Sequence, residues 1–276
     1  MLQDAKYWHR LVNHLSRTLR SEFRRRKLDY LASKVTESDS NTTDITTQLD
    51  GFVHNFVQDY FRRIEIPVFA ITEEGGMEEW GRNPRAVICL DEVDGTAQAN
   101  HGIPEYATTV AVMGDMEDTT LENVIAAATL EYATGNVYSA GKGIGAFRNR
   151  APLTPSRRQN LDTAEAMVAL DIYAAKNNDE VPIWLSKLRK LRCFPVWHGS
   201  AAMALARVSS GQYDAYINLG QKINDLPAGY LLLKEAGAVL MGTNAKPINV
   251  RVKSTGTTSV IAAGNMDIYN QLRALD

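Results

Sequence analysis

The run Arg85-Ala86-Val87-Ile88-Cys89-Leu90, followed at once by Asp91-Glu92-Val93-Asp94-Gly95-Thr96, constrains this chain more than any other stretch. Its apolar part reads as a buried strand. Two carboxylates three residues apart then fall on the turn at the strand's carboxyl end, where open α/β sheets place their ligands. Gly95 permits a tight backbone there, and Thr96 adds a hydroxyl. Hard oxygen ligands grouped in this way suit Mg²⁺ better than Zn²⁺, which prefers nitrogen and sulfur. Taken alone the motif is equally a solvated turn, because Asp and Gly are the commonest turn residues.

Three other acidic groups also stand at element boundaries rather than on polar faces. The strand-like run Ile66 to Thr72 ends in Glu73-Glu74-Gly75-Gly76. The segment Asp44 to Asp50 precedes a helical stretch, and Asn224-Asp225-Leu226-Pro227-Ala228-Gly229 opens another.

The rest of the chain predicts α/β layering. Trp8, Leu11, Val12, Leu15, Leu19 and Phe23 recur at helical spacing, so the chain opens with a long amphipathic helix. Its end is basic, with Arg20, Arg24, Arg25, Arg26 and Lys27. A nucleic-acid surface there would need interleaved aromatics for base stacking. Cations suit the negative end of a helix, and that reading is adopted. Residues 36–43 read as a polar loop, and a second helix follows from about Leu49. Strands are expected at 107–113 and 124–131 and a Gly-rich hairpin at 136–147, where no Lys-Ser/Thr follows in Walker order. A polar connection at 152–164 suggests two lobes, residues 1–150 and 151–276, acting as a single functional unit. The second half alternates strands at 166–171, 193–197, 215–219, 238–241 and 259–263 with helices at 183–191, 200–209, 226–236 and the end.

Composition sets outer bounds. A chain of 276 residues with 45% hydrophobic and 22% charged residues can bury a sizeable core. A net charge of −2 implies no general attraction to nucleic acid or membrane. No run is apolar enough to span a bilayer, and the first residues are amphipathic rather than signal-like. Cys89 and Cys193 lie in apolar runs and read as buried free thiols, so a cytoplasmic setting is expected.

Taken together, the motifs resemble the inositol monophosphatase family of Mg²⁺-dependent, lithium-sensitive phosphatases. The resemblance rests on the Glu73-Glu74 pair after a strand, Asp91-Glu92-Val93-Asp94-Gly95-Thr96, Asp225 before a small-residue helix, Gly199-Ser200-Ala201-Ala202, and the 138–147 hairpin, all in family order. It implies the sugar-phosphatase fold, an αβαβα sandwich of alternating helix and sheet layers with the site between two lobes. It also implies two or three Mg²⁺ ions, a small phosphorylated polyol or sugar as substrate, and a homodimer. Glu73, Asp91 and the Val93 carbonyl would hold the first ion and Asp91, Asp94 and Asp225 the second, with a third leaning on Glu73. Thr96 would pass a proton from the attacking water towards Asp50, with Glu74 also in the catalytic set. Asp94, Gly95, Thr96, Gly199, Ser200, Ala201, Asn218 and Lys222 would meet substrate.

Local alternatives stay open at several of these positions. Asp225 with Pro227 behind it also reads as a helix cap, and Asp50 does too. Thr96 also reads as a turn hydroxyl bonded to local backbone. The chain departs from the family at Glu92, where Pro is usual, at Thr72, where Gly is usual, and at Asn224, where inositol phosphatases have Trp. Asn218 takes the place of a ring-contacting Glu. These departures spare the metal chemistry and put inositol specificity in question. They leave fructose 1,6-bisphosphate and 3'-phosphoadenosine 5'-phosphate as alternative substrates, and a non-catalytic binding protein of the same fold as the rival class.

Overall fold

The computed structural model describes residues 4–38, 45–171, 179–197, 199–248, 250–252 and 256–275. Helix α1 (Ala5–Arg26) starts where Asp4 accepts from the N–H groups of Lys6 and Tyr7 at 2.9 and 3.2 Å. It ends at Lys27, which adopts the left-handed conformation. The seven-residue spacing of its apolar stripe buries Trp8, Val12, Leu15 and Leu19. Arg20 and Arg24 donate to the carbonyls of Gly135 and Thr134, so part of the basic end closes a neighbouring turn. After the short helix α2 (Asp29–Ala32), strands β1 (Val35–Ser38) and β2 (Ile45–Thr47) form an antiparallel pair. The loop expected from residue 36 is therefore strand as far as Ser38, and residues 39–44, Asp44 among them, lie outside the described residues. Helix α3 (Gln48–Arg63) follows directly.

Eight strands make the first sheet. They are β3 (Val68–Thr72), β4 (Gly76–Trp80), β5 (Val87–Asp94), β6 (Ala107–Met113), β7 (Val124–Glu131), β8 (Val137–Gly141), β9 (Gly145–Arg148) and β10 (Ala151–Pro152). Their order is β10-β9-β8-β7-β6-β5-β3-β4, and only the β3–β5 pair is parallel. Strand β4, Gly-Met-Glu-Glu-Trp, was not expected, because an edge strand with so many polar residues has no apolar pattern to read. Strand β5 does not stop at Leu90. It runs to Asp94 with its pairing to β6 shifted between Asp91 and Asp94, so the motif sits on a bulged strand end rather than on a turn. The five-residue helix α4 (Thr96–Asn100) comes next.

The second sheet contains β11 (Met167–Asp171), β12 (Phe194–Trp197), β13 (Ala215–Lys222), β14 (Val239–Gly242) and β15 (Thr257–Ala263), in the order β12-β11-β13-β15-β14. It is joined to helices α5 (Glu180–Arg189), α6 (Ala201–Ser209), α7 (Leu226–Ala236) and α8 (Met266–Ala274).

Alternating side chains show the layering. Ile88 and Leu90 of β5 join the core under α1 and α3, while Val87 and Cys89 join α6 and α7 on the opposite face. Tyr216, Val260 and Ala262 of the second sheet meet that same α6–α7 core, and Ile217, Ile261 and Ala263 face α5 and α8. The stack is therefore helix, sheet, helix, sheet, helix, the αβαβα sandwich. Strands covered on both faces read as continuous apolar runs, which is why β5, β6 and β7 were legible. The middle helices pack closely: a Cβ on Gly229 of α7 would lie 2.3 Å from Leu205 Cδ1 of α6. Cys89 and Cys193 are both buried free thiols.

Candidate active site

The acidic boundaries of the sequence meet where the end of β5, the β3–β4 turn, the start of α6 and the β13–α7 junction come together. Asp91, Asp94 and Asp225 each present a carboxylate oxygen, and the three lie within 4.8 Å of one another. Asp91 is buried, and its Oδ1 has no hydrogen-bond partner. Burial first, then the charges of Asp94, Glu73 and Asp225, hold its carboxyl well above the usual range. Asp94 Oδ2 accepts from the Ser200 hydroxyl and, at 2.8 Å, from the Ala202 N–H. Burial still pushes Asp94 up to about 6 against those bonds. The start of α6 thus aims one backbone N–H and its cap hydroxyl at a site carboxylate. Gly199, with φ +81°, lets the chain pass Gln98, whose Nε2 would lie 1.8 Å from a Cβ there. Ala201 lines the same cleft.

Asp225 occupies the cap position of α7 but makes no side-chain cap bond. Its Oδ2 accepts from Gln221 Nε2 at 3.3 Å. Glu73, in the β3–β4 turn, meets the Lys222 ammonium across the cleft at 2.9 Å. Neighbouring Glu74 accepts from the Thr46 hydroxyl at 3.1 Å. Partial burial, then the charge of Asp50, raises its carboxyl to about 7.

Asp50 and Thr96 are each bonded to local partners. The Thr96 hydroxyl donates to the Val93 carbonyl at 2.6 Å. Asp50 Oδ2 accepts from Thr47 N–H and Oγ1 at 2.8 and 2.6 Å, completing a capping box at the start of α3. Burial raises Asp50 to about 6. Gly95, with φ +86°, lies against the Glu105 carbonyl, which a Cβ would approach to 2.6 Å. Asn218 also faces inward: it donates to Tyr216 Oη and Gln221 Oε1 at 2.8 and 3.0 Å and accepts from Gly220 N–H at 2.8 Å.

Several residues here escaped the sequence reading. Gln98, Asp171 and Gln221 line the cleft. Asp171 follows an apolar run as Asp91 does, a signal that was present. Gln221 had none; it lies just past a register shift in the pairing of β13 with β15 and reaches Asp225 four residues on. Asp50, whose alternative reading was a helix cap, is instead the third residue of α3 in a capping box whose cap is Thr47, a spacing the sequence carries. Thr72 accepts from Gly75 N–H at 2.7 Å and closes the turn that carries Glu73.

The fold is shared with solved structures. The crystal structure of the extragenic suppressor protein suhB from Bartonella henselae superposes with a TM-score of 0.77 at 21% identity, covering 91% of this chain and 92% of that one. The profile of the inositol monophosphatase family matches residues 7–274, and the chain belongs to that family. Membership carries the reaction class: the chain is a phosphatase, a phosphoric monoester hydrolase. A fructose-1,6-bisphosphatase/inositol-1-monophosphatase of Methanothermobacter thermautotrophicus is 33% identical over 75% of this chain and 74% of that protein. A bifunctional NADP phosphatase/NAD kinase of Methanocaldococcus jannaschii is 29% identical over 74% of this chain, an alignment spanning 39% of that longer protein.

Proposed function

We propose that this chain is a Mg²⁺-dependent phosphatase of small phosphorylated polyols or sugars, with inositol monophosphate the first candidate. The convergence of Asp91, Asp94 and Asp225 around the unpartnered, buried Asp91 Oδ1 carries the reading. An all-oxygen set of clustered carboxylates fits a hard divalent cation, which would offset their mutual repulsion. Glu73, Asp91, Asp94, Asp225 and the Val93 carbonyl would hold two or three Mg²⁺ ions. Bound Mg²⁺ would offset charge on the phosphoryl oxygens and acidify water.

The protein groups then have separate tasks. Ser200 and Ala202 fix the Asp94 carboxylate. Gly95 and Gly199 let the backbone at Thr96 and Ala201 come close to phosphate. Thr96, Asp50 and Glu74 handle the proton of the attacking water. For that role the Thr96 O–H must turn from Val93. We assign the substrate cleft to the junction of two lobes, residues 1–150 and 151–276, working as one unit. A homodimer and inhibition by Li⁺ are part of the same family-based reading, and the cytoplasm is its setting.

A second substrate class has its own support. The Lys222 ammonium stands at the cleft, where it could meet a second anionic group, as in a sugar bisphosphate or a phosphorylated nucleotide. Phosphate release should be measured with and without Mg²⁺ on inositol 1-phosphate, fructose 1,6-bisphosphate, NADP and 3'-phosphoadenosine 5'-phosphate. Mg²⁺-dependent release from a monophosphate polyol is expected. No release from any ester with Mg²⁺ would leave a binding protein of this fold as the better account.

A further inference from the structure

Glu92 has the most unusual surroundings of any charged side chain near the cleft. It is fully buried at 0% exposure, on the bulged end of β5 between Asp91 and Val93. Burying a carboxylate is costly unless every oxygen is paired. Both of its oxygens are. Oε1 meets His54 Nδ1 at 2.8 Å, and Oε2 accepts from the backbone N–H of Glu73 at 3.2 Å. His54 is itself wedged. Its Nε2 lies 3.7 Å from Glu78, and its ring stands edge-on to Trp80 at 5.6 Å. A Cβ on Gly75 would come within 2.7 Å of His54 Cε1, so the Glu73–Gly76 turn lies directly against the ring.

These contacts join three elements, each carrying a site carboxylate. Helix α3 brings Asp50 and, one turn later, His54. Strand β5 brings Asp91 and Asp94 on either side of Glu92. The β3–β4 turn brings Glu73. We infer that Glu92, braced by His54, is a positioning residue that sets Glu73 for cation binding by gripping its backbone N–H. Glu92 is not a ligand, because both its oxygens point away to other partners. The inference rests on the proposed role of Glu73 in holding Mg²⁺.

The test is a double-mutant cycle read by calorimetric Mg²⁺ titration of the substrate-free protein. Glu92→Leu removes the acceptor and should weaken Mg²⁺ binding about 10- to 100-fold, the range for groups that orient a metal's ligands. Glu92→Gln keeps an oxygen for the Glu73 N–H and should retain affinity close to the parent. Glu73→Gln should weaken binding on its own, and adding Glu92→Leu to it should cost nothing more. A merely structural Glu92 predicts instead a further loss in the Glu73→Gln background, and that result overturns the inference. So does unchanged affinity in Glu92→Leu. If Glu73→Gln itself leaves Mg²⁺ binding intact, the failure lies in the metal role of Glu73, and the inference falls with it. Should Glu92→Leu fail to fold, His54→Leu, which removes the brace, carries the same expectations through the same cycle.

Discussion

At Asp91 a buried oxygen lacks any hydrogen-bond donor while four other carboxylates, Asp94, Glu73, Asp225 and Glu92, press on it. Asp91→Asn should abolish Mg²⁺-dependent phosphate release. The same change removes one of the clustered charges, so the melting temperature in chelator should rise or hold. Activity near the parent's at saturating Mg²⁺ would contradict the metal assignment. Thr96 offers a sharper contrast. Its hydroxyl donates to Val93 O, which is what a turn hydroxyl does as well as what a poised proton carrier does. Thr96→Ala should lower the rate about 10²- to 10⁴-fold if the hydroxyl takes part in proton transfer. Thr96→Ser should recover much of it. Equal and mild effects in steady-state kinetics would leave Thr96 a local brace and Asp50 a capping-box residue.

At the scale of elements, helices α6 and α7 form the shared middle layer, and Gly229 lies against Leu205 of α6 with no room for a Cβ. Gly229→Ala sets a Cβ 2.3 Å from Leu205 Cδ1 and 2.8 Å from its Cβ, so the helices must part. A loss of about 1–3 kcal/mol is expected in urea melts, the usual cost of overpacking. Adding Leu205→Ala should destabilise less than the sum of the two single changes, because the space one removes the other fills. Elements were legible where burial forces a pattern. The double-sided strands and the stripe of α1 declared themselves, and so did the α7 start at Asp225-Leu226-Pro227. Strand β4 did not, since its residues satisfy the backbone ladder without an apolar face. The Asp-x-x-Asp turn was read one step too early, because a bulge and a turn draw on the same residue types. Strand–helix alternation was real in the second half. In the first half the strands at 107–113 and 124–131 and the 136–147 hairpin were legible, and they form a mostly antiparallel sheet. Among the site residues, Asp91, Asp94 and Asp225 carried boundary signals. His54 carried none, because its partner Glu92 comes from a distant segment that only the fold brings near, and Gln221 carried none because a glutamine in a strand has no boundary signal of its own.

For the whole molecule, the raised carboxyls predict how the metal-free protein answers to pH. Asp50 and Asp94 stand at about 6 in the folded chain against an ordinary 3.8. The folded state therefore holds those protons more tightly than the unfolded state. Their stabilising contribution is full below about pH 4 and is lost as pH rises through 6. Melting in chelator should then occur at a higher temperature at pH 5 than at pH 7.5. Excess Mg²⁺ should cancel that trend, because the cation favours the ionised cluster. An unchanged pH trend with Mg²⁺ present would mean that the cation does not bind these carboxylates.

The middle layer also sets when, during folding, a cation can first be held. Asp91 and Asp94 close a strand of the first sheet, while Asp225 follows a strand of the second, and α6 and α7 lie between those sheets. The full set of oxygens exists only once both sheets have docked on that layer. Mg²⁺ has little to grip in any earlier state. In stopped-flow experiments it should therefore slow unfolding while leaving the refolding rate almost unchanged, the signature of contacts absent from the transition state. A matching acceleration of refolding would show instead that the acidic cluster assembles before the two halves of the chain have met.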